Sequence, residues 1–368
     1  MILFALDTFP TPDTLGININ TAATEFTVAM ANSGSSLRVR GFGLLDGAIL
    51  SWDFPEVFPS GAGSTPVPIR VTRIQPDGTN TSYDTGVTSR PYAVFGGYQR
   101  GSSVYTAMNT REVGTNTVVK RIAKLDAATL LETDVLNVAD ATSISMFERG
   151  PAGYGLITLG TAGRVLHRLN ESSMTLDASV DVDAYLNGVG YDGPGNGAAA
   201  MVVHDGVAYL DMHTFDFASG DERRVLVSVD VATMSVLGRQ EFDAPTFGQQ
   251  LGSASLAFAG GVVVHAAWRG HLARWEVRRF NASTLAETTA MVSQGTPSGE
   301  FVAPWGTGVE FEGLVYFGTD SDSAVAVSPV AVFDPSAGTV SFTSLGTVTE
   351  DGGFYATLSP VAVLPAPP

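Results

Sequence analysis

The sequence predicts an all-β protein assembled from repeated short strands, and three observations support this prediction. First, β-branched runs of four to eight residues recur and end at Gly, Asp, Asn or Pro, as in Ile69–Ile74, Val225–Val229 and Val325–Val332. Second, windows with helical spacing are rare, and the best of them, Ser283–Met291, is crowded with Thr. Third, one strand-and-turn pattern recurs along most of the chain.

Composition bounds the fold and removes several chemistries. The chain has 368 residues, of which 44% are hydrophobic and 15% are charged, so it can bury a large core and is unlike a disordered chain. Its 41 Gly and 19 Pro disfavour long helices and coiled coils. With 0 Cys, a disulfide framework, a Cys-ligated metal or cluster and a thiol nucleophile are excluded.

Net charge and the lack of targeting signals indicate the expected partners and localisation. The net charge of -17 disfavours nucleic acid and anionic membranes as partners. The start, Met1–Asp7, lacks the basic region and the longer apolar run of a signal peptide, and no stretch approaches the roughly 18 apolar residues of a membrane span. We therefore expect a protein made in the cytoplasm, with no signal peptide, transmembrane segment or membrane partner.

The recurring pattern is a Gly, an apolar strand, a variable loop, and a further strand that ends at Asp or Asn before a short turn. One copy begins at Gly206 and another at Gly313. An Asp or Asn followed by small residues and Thr, Ser or Gly is hairpin-turn chemistry, because the side chain caps its own turn. The anchors, spaced 49, 44, 60, 51 and 53 residues apart, are Asp77, Asp126, Asn170, Asp230, Asn281 and Asp334. A period of this size with four strands per unit predicts the blades of a β-propeller.

The two ends of the chain complete the count. Met1–Asp7 resembles the third strand of a blade, ending at a seventh anchor, Asp7, and Thr14–Asn20 resembles the fourth. Near the C-terminus, residues 354–358 and 361–364 resemble a first and a second strand. Pairing of the terminal strands would close a ring of seven four-stranded blades in one domain, 1–368, and remove the last open sheet edge. Ala22–Gly34 is surplus to this scheme and leaves six or eight blades as alternatives.

The repeat resembles kelch-type and related bacterial propeller repeats across most of residues 40–340. The resemblance lies in the Gly, the apolar strand, and the strand that ends at Asp with Thr nearby. Gly pairs of the kelch kind occur at Gly260–Gly261 and Gly352–Gly353, but no Trp sits at a repeating position. The WD signature and the Asp box of sialidases are absent. The resemblance therefore implies the propeller fold and no particular activity.

One face of such a ring carries the long, Gly-rich and aromatic loops. In a four-stranded blade, the second-to-third and blade-to-blade connections share a face, and here they include 53–68, 185–197, 213–223, 243–252 and 293–305. Function tends to lie on loops held by a rigid scaffold, so we expect binding on this long-loop face. The candidate contacts are its aromatic residues: Phe54, Phe58, Tyr185, Tyr191, Phe215, Phe247 and Trp305.

No catalytic or metal-binding motif is found. The five His residues show no HxH, HxxxH or HExxH spacing, and Gly-x-Ser-x-Gly is absent. His265 lies in mid-strand with apolar neighbours, which is typical of a core His. Arg223-Arg224 and Arg278-Arg279 flank strands and are interpreted as a solvated rim. We therefore expect no catalytic residues, no metal and no cofactor.

Composition suggests a working hypothesis for function. A chain rich in Ala, Gly, Ser, Thr and Val, with no Cys, resembles tailed-phage virion components. We therefore expect a non-enzymatic structural or adhesion protein located in a virion. Its partners would be other virion proteins, or a glycan or protein on the host surface, bound through the long-loop face.

Two alternatives stay open at this point. A propeller enzyme of the lactonase, lyase or hydrolase kind would carry polar residues converging on its central channel, whereas a structural protein would fill that channel with apolar or small residues. A soluble glycan-binding propeller would carry similar aromatic pockets between several blades, and the aromatic positions here do not repeat.

Overall fold

The structure, a computed structural model, describes residues 2–7, 13–18, 23–29, 37–45, 48–55, 70–75, 79–84, 90–111, 118–138, 143–160, 165–182, 198–215, 222–242, 251–269, 274–295, 302–321, 329–344 and 356–363. Within these ranges the secondary structure consists of 28 β-strands. No helix long and apolar enough to cross a membrane occurs in these ranges. The prediction of an all-β protein is therefore confirmed.

Six groups of four strands follow one another along the chain, and within each group every strand pairs antiparallel with the next. We number them units 2 to 7. Unit 2 contains β4 (Leu37–Leu45), β5 (Ala48–Pro55), β6 (Arg70–Ile74) and β7 (Asn80–Asp84). Unit 3 contains β8 (Arg90–Arg100), β9 (Ser103–Arg111), β10 (Val118–Asp126) and β11 (Glu132–Val138). Unit 4 contains β12 (Ser143–Arg149), β13 (Tyr154–Gly160), β14 (Val165–Asn170) and β15 (Thr175–Asp181).

The remaining three of these units repeat the arrangement. Unit 5 contains β16 (Ala198–His204), β17 (Val207–Phe215), β18 (Glu222–Asp230) and β19 (Ser235–Phe242). Unit 6 contains β20 (Leu251–Ala259), β21 (Val262–Arg269), β22 (Arg274–Asn281) and β23 (Val292–Gly295). Unit 7 contains β24 (Val302–Phe311), β25 (Leu314–Ser321), β26 (Pro329–Asp334) and β27 (Thr339–Ser344).

Unit 1 joins the two ends of the chain. Its strands are β28 (Ala356–Val363), followed by β1 (Ile2–Asp7), β2 (Asp13–Asn18) and β3 (Ala23–Ala29). β28 pairs antiparallel with β1, with Leu3 opposite Ala362 and Ala5 opposite Ser359. The predicted pairing of the terminal strands is therefore observed.

The composition of unit 1 differs from the sequence prediction. The C-terminus supplies one long strand rather than two, and the surplus segment 22–34 supplies β3. Asp7 consequently ends a second strand, and Asn18, opposite Ala23, takes the anchor position at the end of the third. In unit 2 the third strand ends at Ile74, and Gln75 N donates to the Thr79 carbonyl to close the turn. The predicted anchor there, Asp77, lies outside the described residues.

The first strands of the units form a circuit. β4 contacts β8, and the contacts continue through β12, β16, β20 and β24 to β28, which returns to β4. β4 and β8 pair in parallel at Gly43–Gly97, which joins unit 2 to unit 3. β25 also pairs with β28 at Asp320–Thr357, which joins unit 7 to unit 1.

The core lies between adjacent units. The middle strands are buried on both faces, as in Val104–Met108 of β9, whereas the outer strand β19 alternates exposed and half-buried residues. One apolar cluster joins units 4 and 5 through Leu166 and Val227, and another joins units 6 and 7 through Trp275 and Phe317. Each unit therefore covers its neighbour, as expected for stacked sheets with apolar faces.

The anchors form the predicted hairpin turns. Asp126 Oδ1 accepts hydrogen bonds from Thr129 N at 2.8 Å and Thr129 Oγ1 at 2.9 Å, and Asn281 Oδ1 accepts them from Thr284 N at 3.0 Å and Thr284 Oγ1 at 3.2 Å. Asn170, Asp230 and Asp334 make the same kind of contact. These donors hold the pKa of the Asp230 carboxyl below its usual value, the backbone N–H of Thr233 having the largest effect.

The fourth residue after each of these five anchors has a positive φ, at 57°, 49°, 51°, 56° and 65° for Leu130, Met174, Met234, Leu285 and Gly338. A left-handed conformation costs a non-Gly residue about 1 kcal/mol. The four apolar side chains are buried, and Met234 and Leu285 pack into clusters between units. Their packing offsets the backbone cost.

Candidate functional site

The predicted contact residues fall into two groups. Phe58, Tyr185, Tyr191 and Phe247 lie outside the described residues, so their binding role stays a prediction. Phe54, Phe215 and Trp305 were predicted in loops, but they lie within β5, β17 and β24, because these strands extend further than the apolar runs alone indicate. Phe54 is opposite Arg38, Phe215 opposite Glu222, and Trp305 opposite Gly318.

Beyond Trp305, the first strand of unit 7 is irregular and reaches towards other units. The register of β24 against β25 shifts between Trp305 and Val309. Within this bulge, Thr307 Oγ1 lies 3.2 Å from Glu148 Oε1 of β12 and 3.4 Å from the Met201 carbonyl oxygen of β16. First strands of units 4, 5 and 7 therefore meet at one hydroxyl group, which we call the central contact.

Glu148 is the titratable group of the central contact. Part of its side chain is accessible, but its carboxyl group is enclosed by protein, and this burial raises the pKa of Glu148 to about 7. The hydrogen bonds from Thr307 and from the backbone of Arg149 act in the opposite direction. A carboxyl group with this pKa exchanges its proton near neutral pH, which is a property of general acids and bases.

Gly308 packs tightly next to Thr307. A Cβ atom there would lie 2.5 Å from the Phe317 ring and 2.9 Å from the Ala257 Cβ. Only Gly fits at this distance without movement of its neighbours, so the bulge brings backbone and ring into close approach.

A second polar cluster is buried between units 5 and 6. Arg224 Nη1 donates to Asp211 Oδ2, and His265 Nε2 lies 3.5 Å from Asp211 Oδ1. All three residues are at most 1% exposed. The prediction that Arg224 belongs to a solvated rim is therefore wrong, because the side chain turns inward to a buried carboxylate. The cluster joins β17, β18 and β21, and its burial keeps it away from any ligand in solution.

A repeated contact joins neighbouring units on one face of the described strands, the short-turn face. This short-turn face carries the first-to-second and third-to-fourth turns. A cation located two residues before the end of a third strand donates to the carbonyl that follows the anchor of the next unit. Arg168 donates to Val231 O at 3.0 Å, and Arg279 to Pro335 O at 2.7 Å. Lys124 makes the corresponding contact to Glu171 O, and Arg73, one residue before the end of β6, makes it to Ala127 O.

The interface of units 3 and 4 has an additional polar network. Glu171 is 4% exposed; it accepts a hydrogen bond from Tyr98 OH at 2.9 Å, and its Oε2 lies 3.0 Å from Arg100 Nε. Burial raises the pKa of the Glu171 carboxyl, and burial together with the Glu171 charge raises the pKa of Tyr98 well above its usual value. The network links two units through buried side chains.

Among the residues that the structure describes, no group of three His, Asp or Glu side chains could hold a metal ion. Sequence reasoning identified His265 as a core His and missed its carboxylate partner. Asp211 lies in an apolar strand and is more than 50 residues from His265 in sequence, so no local signal connects the two.

No protein-family model matches the chain. No curated protein matches it either. Solved structures do match. The periplasmic gluconolactonase of Pseudomonas aeruginosa superposes with a TM-score of 0.61 at 12% identity, covering 99% of each chain. The Pan2 WD40 domain of Neurospora crassa gives a TM-score of 0.53 at 8% identity, covering 99% of this chain and 87% of the domain.

A third match is a quinohemoprotein alcohol dehydrogenase of Pseudomonas putida, with a TM-score of 0.49 and 11% identity over 97% of this chain and 66% of the dehydrogenase. The present chain thus spans about two thirds of that enzyme's length. At such low identities the likeness to the gluconolactonase and the WD40 domain shows the fold alone. The chain is a β-propeller of four-stranded antiparallel sheets.

Proposed function

We propose that the chain is a closed, single-domain propeller of seven blades that acts as a non-enzymatic interaction scaffold through its long-loop face. The circuit of contacts among β4, β8, β12, β16, β20, β24 and β28 supports ring closure. The seven four-stranded units, with unit 1 built from both termini, support the blade count.

The central contact is the observation that carries the non-enzymatic proposal. Thr307 joins first strands of three units, and the space beside it is filled by Gly308, Ala257 and Phe317. Close packing of Gly308 against Ala257 and Phe317 suits a rigid ring, whereas the Glu148 carboxyl at the same contact is the feature that favours the second candidate below. The cation-to-carbonyl contacts between units add rigidity, and a rigid scaffold lets long loops bind without a large ordering cost.

The partner is argued from charge and composition. A net charge of -17 favours a neutral or basic partner over a polyanion. The composition suggests a phage-like particle, in which the partner is another virion protein or a glycan or protein on the host surface. The structural neighbours named above include no virion protein, so this location rests on composition alone.

The test uses Trp305→Ala and Tyr191→Ala, with the exposed Leu237→Ala as a matched control. We expect each aromatic substitution to reduce incorporation into purified particles, or binding to the host surface, by at least about tenfold. Leu237 is 59% exposed on the outer strand β19, so its replacement leaves both measurements unchanged. If both aromatic variants behave as wild type while shortening a turn of the opposite face abolishes incorporation or binding, the function lies on that opposite face and the proposal is wrong.

A propeller hydrolase is the second candidate, and Glu148 favours it. Its carboxyl group, with a pKa of about 7, lies where three units meet, and a gluconolactonase shares the fold. Turnover of a lactone or ester by the pure protein, lost in Glu148→Gln with stability retained, would replace the scaffold proposal by this one.

A further inference from the structure

The interfaces of units 3/4 and 5/6 are equivalent in strand register. Tyr105 and Tyr209 occupy the same place in the second strands, opposite Tyr98 and Val202. Tyr105 OH donates to Glu171 O at 3.4 Å, and Tyr209 OH donates to Ala282 O at 3.1 Å. In each case the acceptor is the carbonyl that follows the anchor Asn of the next unit. The two interfaces can therefore be compared position by position.

Cations fill the interface of units 3 and 4. Arg100 contacts the Glu171 carboxylate, and Lys124 Nζ lies 3.5 Å from Glu171 O and 5.7 Å from the centre of the Tyr105 ring. Arg149 adds a third positive charge that lowers the pKa of the Glu171 carboxyl.

Neutral or smaller groups replace these residues at the interface of units 5 and 6. His204 takes the place of Arg100, since each ends its first strand opposite the start of the second. Ser228 takes the place of Lys124, two residues before the anchor, and Phe258 takes that of Arg149. Ala282 stands where the other interface has Glu171. Thus the three positions that hold Lys or Arg at the interface of units 3 and 4 hold neither at the interface of units 5 and 6.

A cleft of about 720 Å³ opens where these side chains are smaller. Its walls include the Phe258 and His204 rings, stacked with centroids 3.6 Å apart, and the Tyr209 ring, 6.0 Å from Phe258. Asp205, whose side chain is 90% exposed, and the exposed Glu310 supply negative charge at the edge. No Lys or Arg is among the described residues that line the cleft.

We propose that this cleft binds an arginine side chain of a partner protein. The molecule shows the same recognition elsewhere on its short-turn face. The Arg168 guanidinium lies 4.4 Å from the centre of the Tyr154 ring while donating to Val231 O, and that of Arg279 lies 5.6 Å from the Phe333 ring while donating to Pro335 O. The smaller recess between units 2 and 3, of about 320 Å³, is lined by the chain's own Arg73, which donates to Ala127 O.

Arginine suits the cleft for three reasons. Its planar guanidinium stacks on aromatic rings, and it pairs with carboxylates through two donors. At the edge, Glu310 is exposed, and Asp205 Oδ2 lies 3.2 Å from His204 Nε2 while its side chain stays 90% exposed, so a guanidinium can approach both carboxylates. The net charge of -17 attracts a basic segment towards the surface. The cleft lies on the short-turn face, so this proposal stands independently of the long-loop function.

The experiment titrates acetyl-Gly-Arg-Gly-amide into the full chain, observed through the methyl resonances of Val207 and Ala282. Acetyl-Gly-citrulline-Gly-amide, which keeps the shape and removes the charge, is the control ligand. We expect saturable shifts for the arginine peptide with a Kd on the order of 1 mM, and none for citrulline in the same range. Equal shifts from both peptides would overturn the proposal.

Matched variants locate the binding. Asp205→Asn and Glu310→Gln should each weaken the arginine peptide about two- to fivefold, whereas Asp134→Asn, an exposed carboxylate of unit 3, should leave it unchanged. The double variant His204→Arg with Ala282→Glu introduces the counterparts of Arg100 and Glu171 into the cleft and should abolish binding. Undiminished binding in a folded double variant contradicts the proposal. If that variant does not fold, the two carboxylate variants decide, since wild-type affinity in both would equally overturn it.

Discussion

At the scale of single residues, one side-chain oxygen organises the third-to-fourth turn in each of units 3 to 7. Asn281 Oδ1 accepts hydrogen bonds from Ser283 N, Thr284 N and Thr284 Oγ1 at 3.0, 3.0 and 3.2 Å. We expect Asn281→Ala to lower the free energy of unfolding by about 1 kcal/mol, the cost of a lost cap, as measured by urea denaturation. Asn281→Asp keeps the accepting oxygen and should behave as wild type, because Asp occupies the same place at Asp126, Asp230 and Asp334. Equal destabilisation by both substitutions would show that the oxygen is not what stabilises the turn.

The pH dependence of stability should report on Glu148. Its pKa in the folded protein, about 7, lies above the ordinary value of 4.5. The folded state therefore binds the proton more tightly than the unfolded state. This contribution is fully present below pH 4.5 and is lost as the pH rises through 7, with a slope of at most about 1.4 kcal/mol per pH unit.

Urea denaturation between pH 4.5 and 8 compares wild type with Glu148→Gln, in which this pH dependence should be absent. Thr307→Val removes a hydrogen bond that lowers the pKa of Glu148, so the loss of stability, which still begins near pH 4.5, should continue to a higher pH than in wild type. Parallel pH profiles for wild type and Glu148→Gln would show that Glu148 titrates normally in the folded state.

At the scale of strands, the bulge in β24 depends on Gly308. We expect Gly308→Ala to cost about 1 to 3 kcal/mol, because the new Cβ would lie 2.5 Å from the Phe317 ring. Gly295→Ala is the control, since a Cβ there meets nothing within 4 Å. Adding Phe317→Leu to Gly308→Ala makes room for the methyl group, so the double variant should lose less than the sum of the single changes. Strict additivity would show that the two positions are not in contact.

The same scale shows what sequence reasoning could predict. The third strands of units 3 to 7 end at the predicted anchors, because Asp or Asn before a tight turn is a local signal. In unit 1 the sequence prediction differs from the structure. Asp7 resembles an anchor but ends the second strand, and Asn18 lies at the anchor position at the end of the third. The pairing of β28 with β1 could be predicted because each end of the chain supplies an incomplete unit, whereas the meeting of Thr307 with Glu148 is a long-range contact that local patterns do not specify. The cleft at His204 depends on smaller or uncharged side chains at positions equivalent to those of another interface. These positions can be matched only when the strand register of the two interfaces is known.

At the scale of the whole molecule, unit 1 holds the two ends of the chain together. β28 supplies the first strand of this unit and contacts both β24 and β4, so its detachment would interrupt the circuit of first strands. Because the chain contains 0 Cys, an introduced pair of cysteines can report on this pairing without competing thiols. Ala5 and Ser359 are directly opposite each other in the β1–β28 register.

We expect Ala5→Cys with Ser359→Cys to form an intramolecular disulfide under oxidising conditions, seen as faster migration in non-reducing electrophoresis. The link constrains the unfolded chain over nearly its full length, so the oxidised protein should unfold at higher temperature than its reduced form, with an upper limit of about 5 kcal/mol for the gain. Ala5→Cys with Leu237→Cys, which places the second thiol on β19 of unit 5, is the mismatched control and should stay reduced or form dimers. If the matched pair gave only intermolecular disulfides, β28 would not be the neighbour of β1 in solution, and the ring would have to close by another pair of strands.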